Sequence, residues 1–382
     1  MKRLHLVIGL FVLAITIVSC GGNGNSSVSR YADSIYLPEY ASGFRILGAE
    51  GRSSVIIESI NPWQGADSVV TRLFIARDGE EPPQGFEGQV IEGDARRIVA
   101  MSSTHIAMLD VIGETARVVG VSGMDFISND AVRSRRDSIG DVGYDGNVNY
   151  ELLLSLQPDI ILLYGTNGAS GMEPKLKELG IPYVYIGEYL EDSALGKAEW
   201  IVVVAEIVGK RDEGIKAFSA IPERYNAIRE KAANCLKHSS RPKVMINLPY
   251  GDSWFMAPTG SYLVRLIEDA GGDYIYKKNN SNESRPIDLE EAFMLVSASD
   301  KWINVGQTRS LDELRKNYPK FAATKPVLSG EVYNTTGRVA ANGANDYWER
   351  GVVEPDVVLR DMVMIFHPEL ADSDLVYYEK LK

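Results

Sequence analysis

The chain predicts an α/β protein of two doubly wound lobes joined by a single long interlobe helix, with a small N-terminal β extension. Three observations carry that expectation. Between Asp212 and Leu236, the residues Ile215, Phe218, Ile221, Tyr225, Ile228, Ala232 and Cys235 recur at steps of three and four. This is the stripe of an amphipathic helix, roughly 35–40 Å long at 1.5 Å per residue. Strand-like apolar runs alternate with helical periodicity before it, from Ile98–Met101, and again after it, from Val244–Ile246. Residues 31–96 instead read as short β runs at Phe44–Ile46, Val55–Ile57 and Leu73–Ile75, broken by turns at Gly51, Asn61-Pro62 and Asp78-Gly79.

The 382 residues suffice for two domains with additions, and a formal charge of −12 without a basic stripe argues against a nucleic-acid partner. Lys2 and Arg3 precede the apolar run Leu6–Val18, which is too short to span a bilayer and ends in Ile17-Val18-Ser19-Cys20-Gly21. Residues 1–19 therefore read as a signal peptide. The ending resembles the bacterial lipoprotein box, which implies lipidation of Cys20 and an exported protein anchored to a membrane, facing the periplasm. An ordinary secretory signal with an incidental cysteine is the blander alternative. Residues 20–30, rich in Gly, Asn and Ser, form the tether. With Cys20 acylated, the second cysteine, Cys235, has no partner in the chain, and its place in the apolar stripe predicts a small buried hydrophobe.

In order, residues 97–211 predict the first lobe. Strand Ile98–Met101 leads to helix Ile106–Ile112, strand Ala116–Val121, helix Asn149–Leu156, strand Asp159–Leu163, helix Pro174–Leu179 and strand Tyr183–Ile186. A helix over Lys197–Val208, with Gly209 as its C-cap, closes the lobe. The interlobe helix occupies 212–237, kinked at Pro222. Residues 238–382 repeat the pattern, with strands Lys243–Asn247, Lys301–Val305 and Glu331–Asn334. Their helices are Tyr262–Ala270, Asp288–Val296, Leu311–Tyr318 and Pro355–Phe366, and Lys277–Arg285 reads as a loop. One echo links the lobes: Asn149-Tyr150-Glu151 and Asp288-Leu289-Glu290 each place an N-cap and a first-turn Glu before a helix. The helix dipole alone favours a Glu there, but its recurrence in both lobes points to a shared role.

Arg97–His105 with Leu109–Gly113, then Val118–Val121, Asp141–Gly143, Leu156–Asp159 and Leu179–Pro182, form a distinctive series. Together with Trp254–Ser261 and Leu266–Gly272, they resemble the substrate-binding proteins of bacterial ABC importers for iron-siderophores, haem and vitamin B12, from Arg97 to Phe366. The resemblance implies two lobes on one rigid helix, no enzymatic activity and no cofactor. It also implies a monomer that delivers its ligand to a membrane permease driven by a separate ATPase. Glu151 and Glu290 fall where the family docks its permease, and two separated carboxylates on a rigid body can register on cationic sockets.

Ligands of open α/β sheets bind outside the strand C-termini. That rule selects Thr104, His105, Asp125, Tyr144, Tyr164 and Glu188-Tyr189 in the first lobe. In the second it selects Tyr250, Asp252, Trp254, Arg309, Arg338 and Asn342, with Tyr347-Trp348 beside them. The aromatic content suits a large ring-bearing ligand, an iron chelate, haem or a corrinoid, and the arginines suit an anionic one. For His105 a structural role at the helix start is the preferred reading, and ligation of a metal centre inside a chelate the alternative. With four histidines, one of them His5 in the signal peptide, and neither HxH nor HExxH spacing, no dedicated metal site is expected. Neither a G-x-S-x-G elbow nor a phosphate loop occurs. An exported chelate-processing enzyme on the same scaffold is the alternative reading.

Overall fold

The computed structural model describes residues 31–382, so the signal peptide, Cys20 and the tether lie outside the described residues. The extension opens with strands β1 (Asp33–Tyr36), β2 (Phe44–Gly48), β3 (Val55–Ile60) and β4 (Val70–Ala76), paired antiparallel in sequence. β5 (Gln89–Glu92) then runs parallel to β4, because the segment 77–88 returns the chain to the end of the sheet where β4 began. The extension is thus a mixed sheet. Its inner residues, among them Phe44, Ile46, Ile57 and Leu73, share one core with the first lobe.

Two carboxylates fasten the extension. Glu199, fully buried, accepts from the Tyr36 hydroxyl at 2.7 Å and from the backbone N–H of Glu39, Tyr40 and Ala41 at 2.8, 2.8 and 2.7 Å. Glu191 accepts from the backbone N–H of Ser42 at 3.0 Å and Gly43 at 2.9 Å, and from the Trp200 indole at 3.0 Å. Residues 39–43 lie outside the strands, so these acids satisfy amides that have no ladder partner.

The first lobe builds on β6 (Ile98–Ala100), α1 (Ser103–Val111), β7 (Val118–Val121), α2 (Asp130–Arg133), β8 (Gly140–Asp141) and the hairpin β9 (Gly143–Tyr144) and β10 (Asn147–Val148). It continues through α3 (Tyr150–Ser155), β11 (Ile160–Leu163), α4 (Glu173–Leu179) and β12 (Tyr183–Tyr185). The sheet is parallel, ordered β12-β11-β6-β7-β8. β11 is buried along its whole length, the pattern of a strand covered on both faces. In place of one helix over Lys197–Val208 stand α5 (Ala194–Glu199) and α6 (Ile201–Ile207), which meet at Trp200.

α7 (Arg211–Cys235) is the interlobe helix, and it passes through Pro222 without ending. Phe218, Ile221, Tyr225 and Ala232 are buried along its stripe. Gly214 allows close approach to α6, since a Cβ there would lie 2.4 Å from that of Ala205. Tyr225 donates to Asp269 at 2.7 Å and Arg224 bonds Asp356 at 2.5 Å, fixing α7 to the second lobe. Cys235 departs from expectation: it is half-buried, and its thiol donates to Glu369 at 3.0 Å. The stripe ends one turn too early to cover it.

The second lobe comprises β13 (Lys243–Ile246), β14 (Ser253–Met256), α8 (Tyr262–Asp269), β15 (Asp273–Tyr274), β16 (Arg285–Asp288) and α9 (Leu289–Ala298). β17 (Lys301–Ile303), α10 (Leu311–Asn317), α11 (Lys325–Leu328), β18 (Val332–Asn334), α12 (Pro355–Phe366) and β19 (Glu379–Lys380) complete it. Its sheet runs β15-β13-β17-β18-β19, parallel except for β19. β14 and β16 pair antiparallel, so part of the expected 277–285 loop borders a strand.

That two-stranded sheet corrects the assignment of Trp254 to the ligand. β14 alternates, sending Trp254 and Met256 inward and Phe255 outward. Trp254 is fully buried against Trp302 and Phe321, and its indole donates to the Ile246 carbonyl at 3.0 Å. It is a core residue.

Glu199→Ala would strand one hydroxyl and three backbone donors at a buried joint. Denaturant unfolding should show a loss of about 3–5 kcal/mol, the range for breaking a buried charged network.

Candidate functional site

Between the lobes lies a cavity of about 480 Å³, within the range of small-molecule sites. The first lobe contributes Ser102 and Thr104 from the end of β6 and the start of α1, Tyr164 and Thr166 after β11, and Glu188 and Tyr189 after β12. Lys197 enters from α5. The facing wall is Tyr262 and Leu266 of α8, Tyr347 and Trp348, and Val352, Pro355 and Val358 around the start of α12. The first-lobe groups follow from parallel topology, which places strand C-termini along one edge.

The polar groups are few and connected. Thr104 donates to Glu188 at 2.6 Å and shares a 2.8 Å hydrogen bond with Ser102. Glu188 is buried, its second carboxylate oxygen has no hydrogen-bond partner among the described residues, and burial raises its pKa, with Lys197 acting the other way. The Lys197 ammonium sits 4.2 Å from the centre of the Tyr262 ring, a cation–π contact. The Tyr189 hydroxyl bonds the Gly165 carbonyl. Tyr164 has no hydrogen-bond partner for its hydroxyl among the described residues, and its pKa is raised by burial and by Asp145 and Glu188. The site is therefore an aromatic and aliphatic slot with one carboxylate, one ammonium and the unbonded Tyr164 phenol among its polar groups.

Residues 98–339 match the family model described as periplasmic binding protein. The chain belongs to that family. An uncharacterized lipoprotein of Methanocaldococcus jannaschii is 26% identical, the match covering 97% of this chain and 94% of that one. Among solved structures, a periplasmic haem-binding protein from Pseudomonas aeruginosa superposes with a TM-score of 0.59 at 16% identity, covering 75% of this chain and 98% of its own. The haem-binding protein RhuT from Roseiflexus sp. RS-1 gives 0.55 at 18%, covering 72% and 98%. The shared architecture is the two-lobed fold, with α7 as the interlobe helix.

The structure sorts the residues selected from the sequence of this periplasmic binding protein. Thr104 and Tyr164 line the cavity, as do Glu188, Tyr189, Tyr347 and Trp348. His105 does not: it is fully buried on the inner side of α1, and desolvation lowers its pKa to about 3, so it stays neutral. The helix that starts at Ser103 presents Thr104 to the cleft and turns the next residue into the core. Tyr144 and Phe126 form an exposed edge-on pair, with Asp125 beside them. Tyr250, Asp252 and Arg309 are exposed and line neither this cavity nor the next one.

Arg338 lines a second, polar cavity of about 590 Å³ between the lobes, where Asp346 at 2.8 Å and Glu354 at 3.5 Å neutralise it. The anionic ligand expected of this arginine thus has no free cation there. Asn342 donates to the carbonyls of Asp125 at 3.0 Å and Ile127 at 3.1 Å, a contact between lobes. Lys197, Tyr262 and the α12 residues were missed because they sit on helices, where the strand-end rule does not look.

The lobes also meet through Glu349, which accepts from the Ser128 backbone N–H at 2.7 Å, and through Arg350 and Asp110 at 2.5 Å. Burial raises the Glu349 pKa from 4.5 to about 7; the Ser128 and Asn129 N–H groups oppose the shift and Asp346 adds to it. The folded carboxyl keeps its proton to about pH 7, whereas the unfolded one loses it near pH 4.5. This group's contribution to stability is therefore fully present below pH 4.5 and lost as pH rises to 7. Unfolding free energies of Glu349→Gln should lack that slope, on the order of 2–4 kcal/mol across the window. An unchanged slope would place the titration elsewhere.

Proposed function

We propose that this periplasmic binding protein captures a flat, ring-bearing metal chelate of the haem class and hands it to the permease of an ABC importer. The supporting observation is the interlobe slot, walled by Tyr164, Tyr189, Tyr262, Tyr347 and Trp348, with only Lys197 and Glu188 as charges. Such a wall stacks on a planar macrocycle. One ammonium matches a carboxylate at the ring's edge, and the free phenol of Tyr164 is the kind of ligand that binds ferric haem iron. A highly anionic siderophore would meet too few cations, because Arg338 is already neutralised. The solved structures that share the fold include proteins described as haem-binding, which agrees with this choice of cargo.

Delivery rests on Glu151 and Glu290. Both are exposed at helix starts, behind the N-caps Asn149 and Asp288. Each has an exposed apolar neighbour one turn on, Leu154 at 46% and Met294 at 72% exposure. A carboxylate beside an uncovered apolar side chain, once per lobe, suits a docking face better than a merely solvated one. The permease would work with a separate ATPase, and lipidation at Cys20 would hold the exported protein at the membrane.

Titration with ferric haem should give a saturable Soret shift at one equivalent. Tyr164→Phe should alter the spectrum and weaken binding by about tenfold, or ~1.4 kcal/mol. If haem gives no shift while cobalamin or a ferric siderophore raises the melting temperature, the cargo assignment is wrong.

Glu151→Ala and Glu290→Ala should leave haem affinity unchanged and reduce uptake in vesicles carrying the permease and ATPase, with the double variant losing most of it. Added salt should imitate part of the loss. Wild-type transport by the double variant would remove these residues from docking.

A further inference from the structure

We propose that Cys235, His367 and Glu369 form a metal site for one divalent cation of the zinc class, separate from the cleft, which staples the end of the interlobe helix to the second lobe. Cys235 is the last residue of α7, His367 follows the last residue of α12, and Glu369 lies in the turn beyond. Their donor atoms Sγ, Nδ1 and a carboxylate oxygen all lie within 4.8 Å of one another. Sγ is 3.0 Å from Glu369 Oε1 and 3.8 Å from His367 Nδ1. Around a tetrahedral zinc, with bonds of about 2.3 Å to sulfur and 2.0 Å to nitrogen or oxygen, neighbouring donors stand roughly 3.3–3.6 Å apart. The two sulfur spacings are within about half an ångström of these values, and the imidazole and the exposed carboxylate, within 4.8 Å of each other, would draw together on the ion. Thiolate, imidazole and carboxylate together select zinc-like cations over calcium or magnesium, which take oxygen ligands.

The histidine is already oriented. It is 2% exposed, and its ring packs against the backbone of Ala270 and Gly271. Its Nε2 lies against Gly271, where a Cβ would come within 2.4 Å of it. The ring is thereby held with Nδ1 towards the sulfur. The thiol donates to Glu369. A cation would replace that shared proton, so binding should release a proton to solvent. Glu369 is exposed and Cys235 half-exposed, which leaves a path of entry and an open fourth position for water. The cleft uses Pro355 and Val358 at the opposite end of α12, roughly 15 Å away at 1.5 Å per residue.

The test uses the full chain, reduced and stripped with a chelator, and titrated with Co2+. A thiolate-to-cobalt charge-transfer band and visible bands of a tetrahedral ion should saturate at one equivalent and bleach on adding Zn2+. Zn2+ alone should raise the melting temperature and slow alkylation of Cys235. Cys235→Ser should lose the charge-transfer band, and the exposed Glu369→Gln should weaken Zn2+ binding by at least about tenfold, while Cys20→Ser retains both. No saturable band, a band that survives Cys235→Ser, or unchanged Zn2+ affinity in Glu369→Gln would overturn the site and leave an ordinary thiol–carboxylate hydrogen bond.

Discussion

The chain crosses between the two sheets as one continuous helix of 25 residues, and the cleft depends on that helix staying whole. Bending it would cost several backbone hydrogen bonds at once, and Pro222 has removed only one donor. Its two ends are held by different means. Near the first lobe, Gly214 lets α7 lie close against the wholly buried α6. Towards the second lobe, Tyr225 and Arg224 tie it to Asp269 and Asp356. The helix thereby sets the spacing of the two lobes on either side of the slot.

Within that slot, apolar area supplies the attraction and a few polar atoms set the pose. Each 100 Å² of ring surface removed from water is worth about 2.5 kcal/mol at the usual coefficient. The unpaired oxygen of Glu188 works in the same direction. A buried acceptor without a partner costs about 1–3 kcal/mol, which a ligand donor would recover. Lys197, the one ammonium of the slot, rests on the Tyr262 ring.

Much of the acidity of the chain is put to structural use. Glu191 and Glu199 receive the amides of residues 39–43. Asp159 receives those of Arg96 and Arg97 at 2.7 and 2.9 Å, and Asp361 those of Val376, Tyr377 and Tyr378 at 2.9, 2.6 and 3.1 Å. Each carboxylate stands where the chain enters or leaves regular structure and its N–H groups have no ladder partner. The extension is thus integrated with the first lobe, and the C-terminal tail with α12.

Local pattern alone determined the interlobe helix, the two rounds of strand and helix, and the N-caps Asn149 and Asp288, because each is a property of neighbouring residues and their period. Strand ends also pointed to Thr104, Tyr164, Glu188 and Trp348, since parallel sheets gather such ends on one edge. Tertiary structure decided the rest. The inward face of β14 took Trp254 into the core, and the inner side of α1 took His105, although the strand-end rule selected both. Lys197, Tyr262 and Val358 reached the cavity from helices whose sequence spacing says only which face is apolar, not what lies opposite. Cys235 and His367 are 132 residues apart, and only the docking of α12 on α7 brings sulfur and imidazole together. Sequence period fixes which way a side chain leaves its own element; which partner it then meets depends on how separate elements pack, and that is a property of the whole fold.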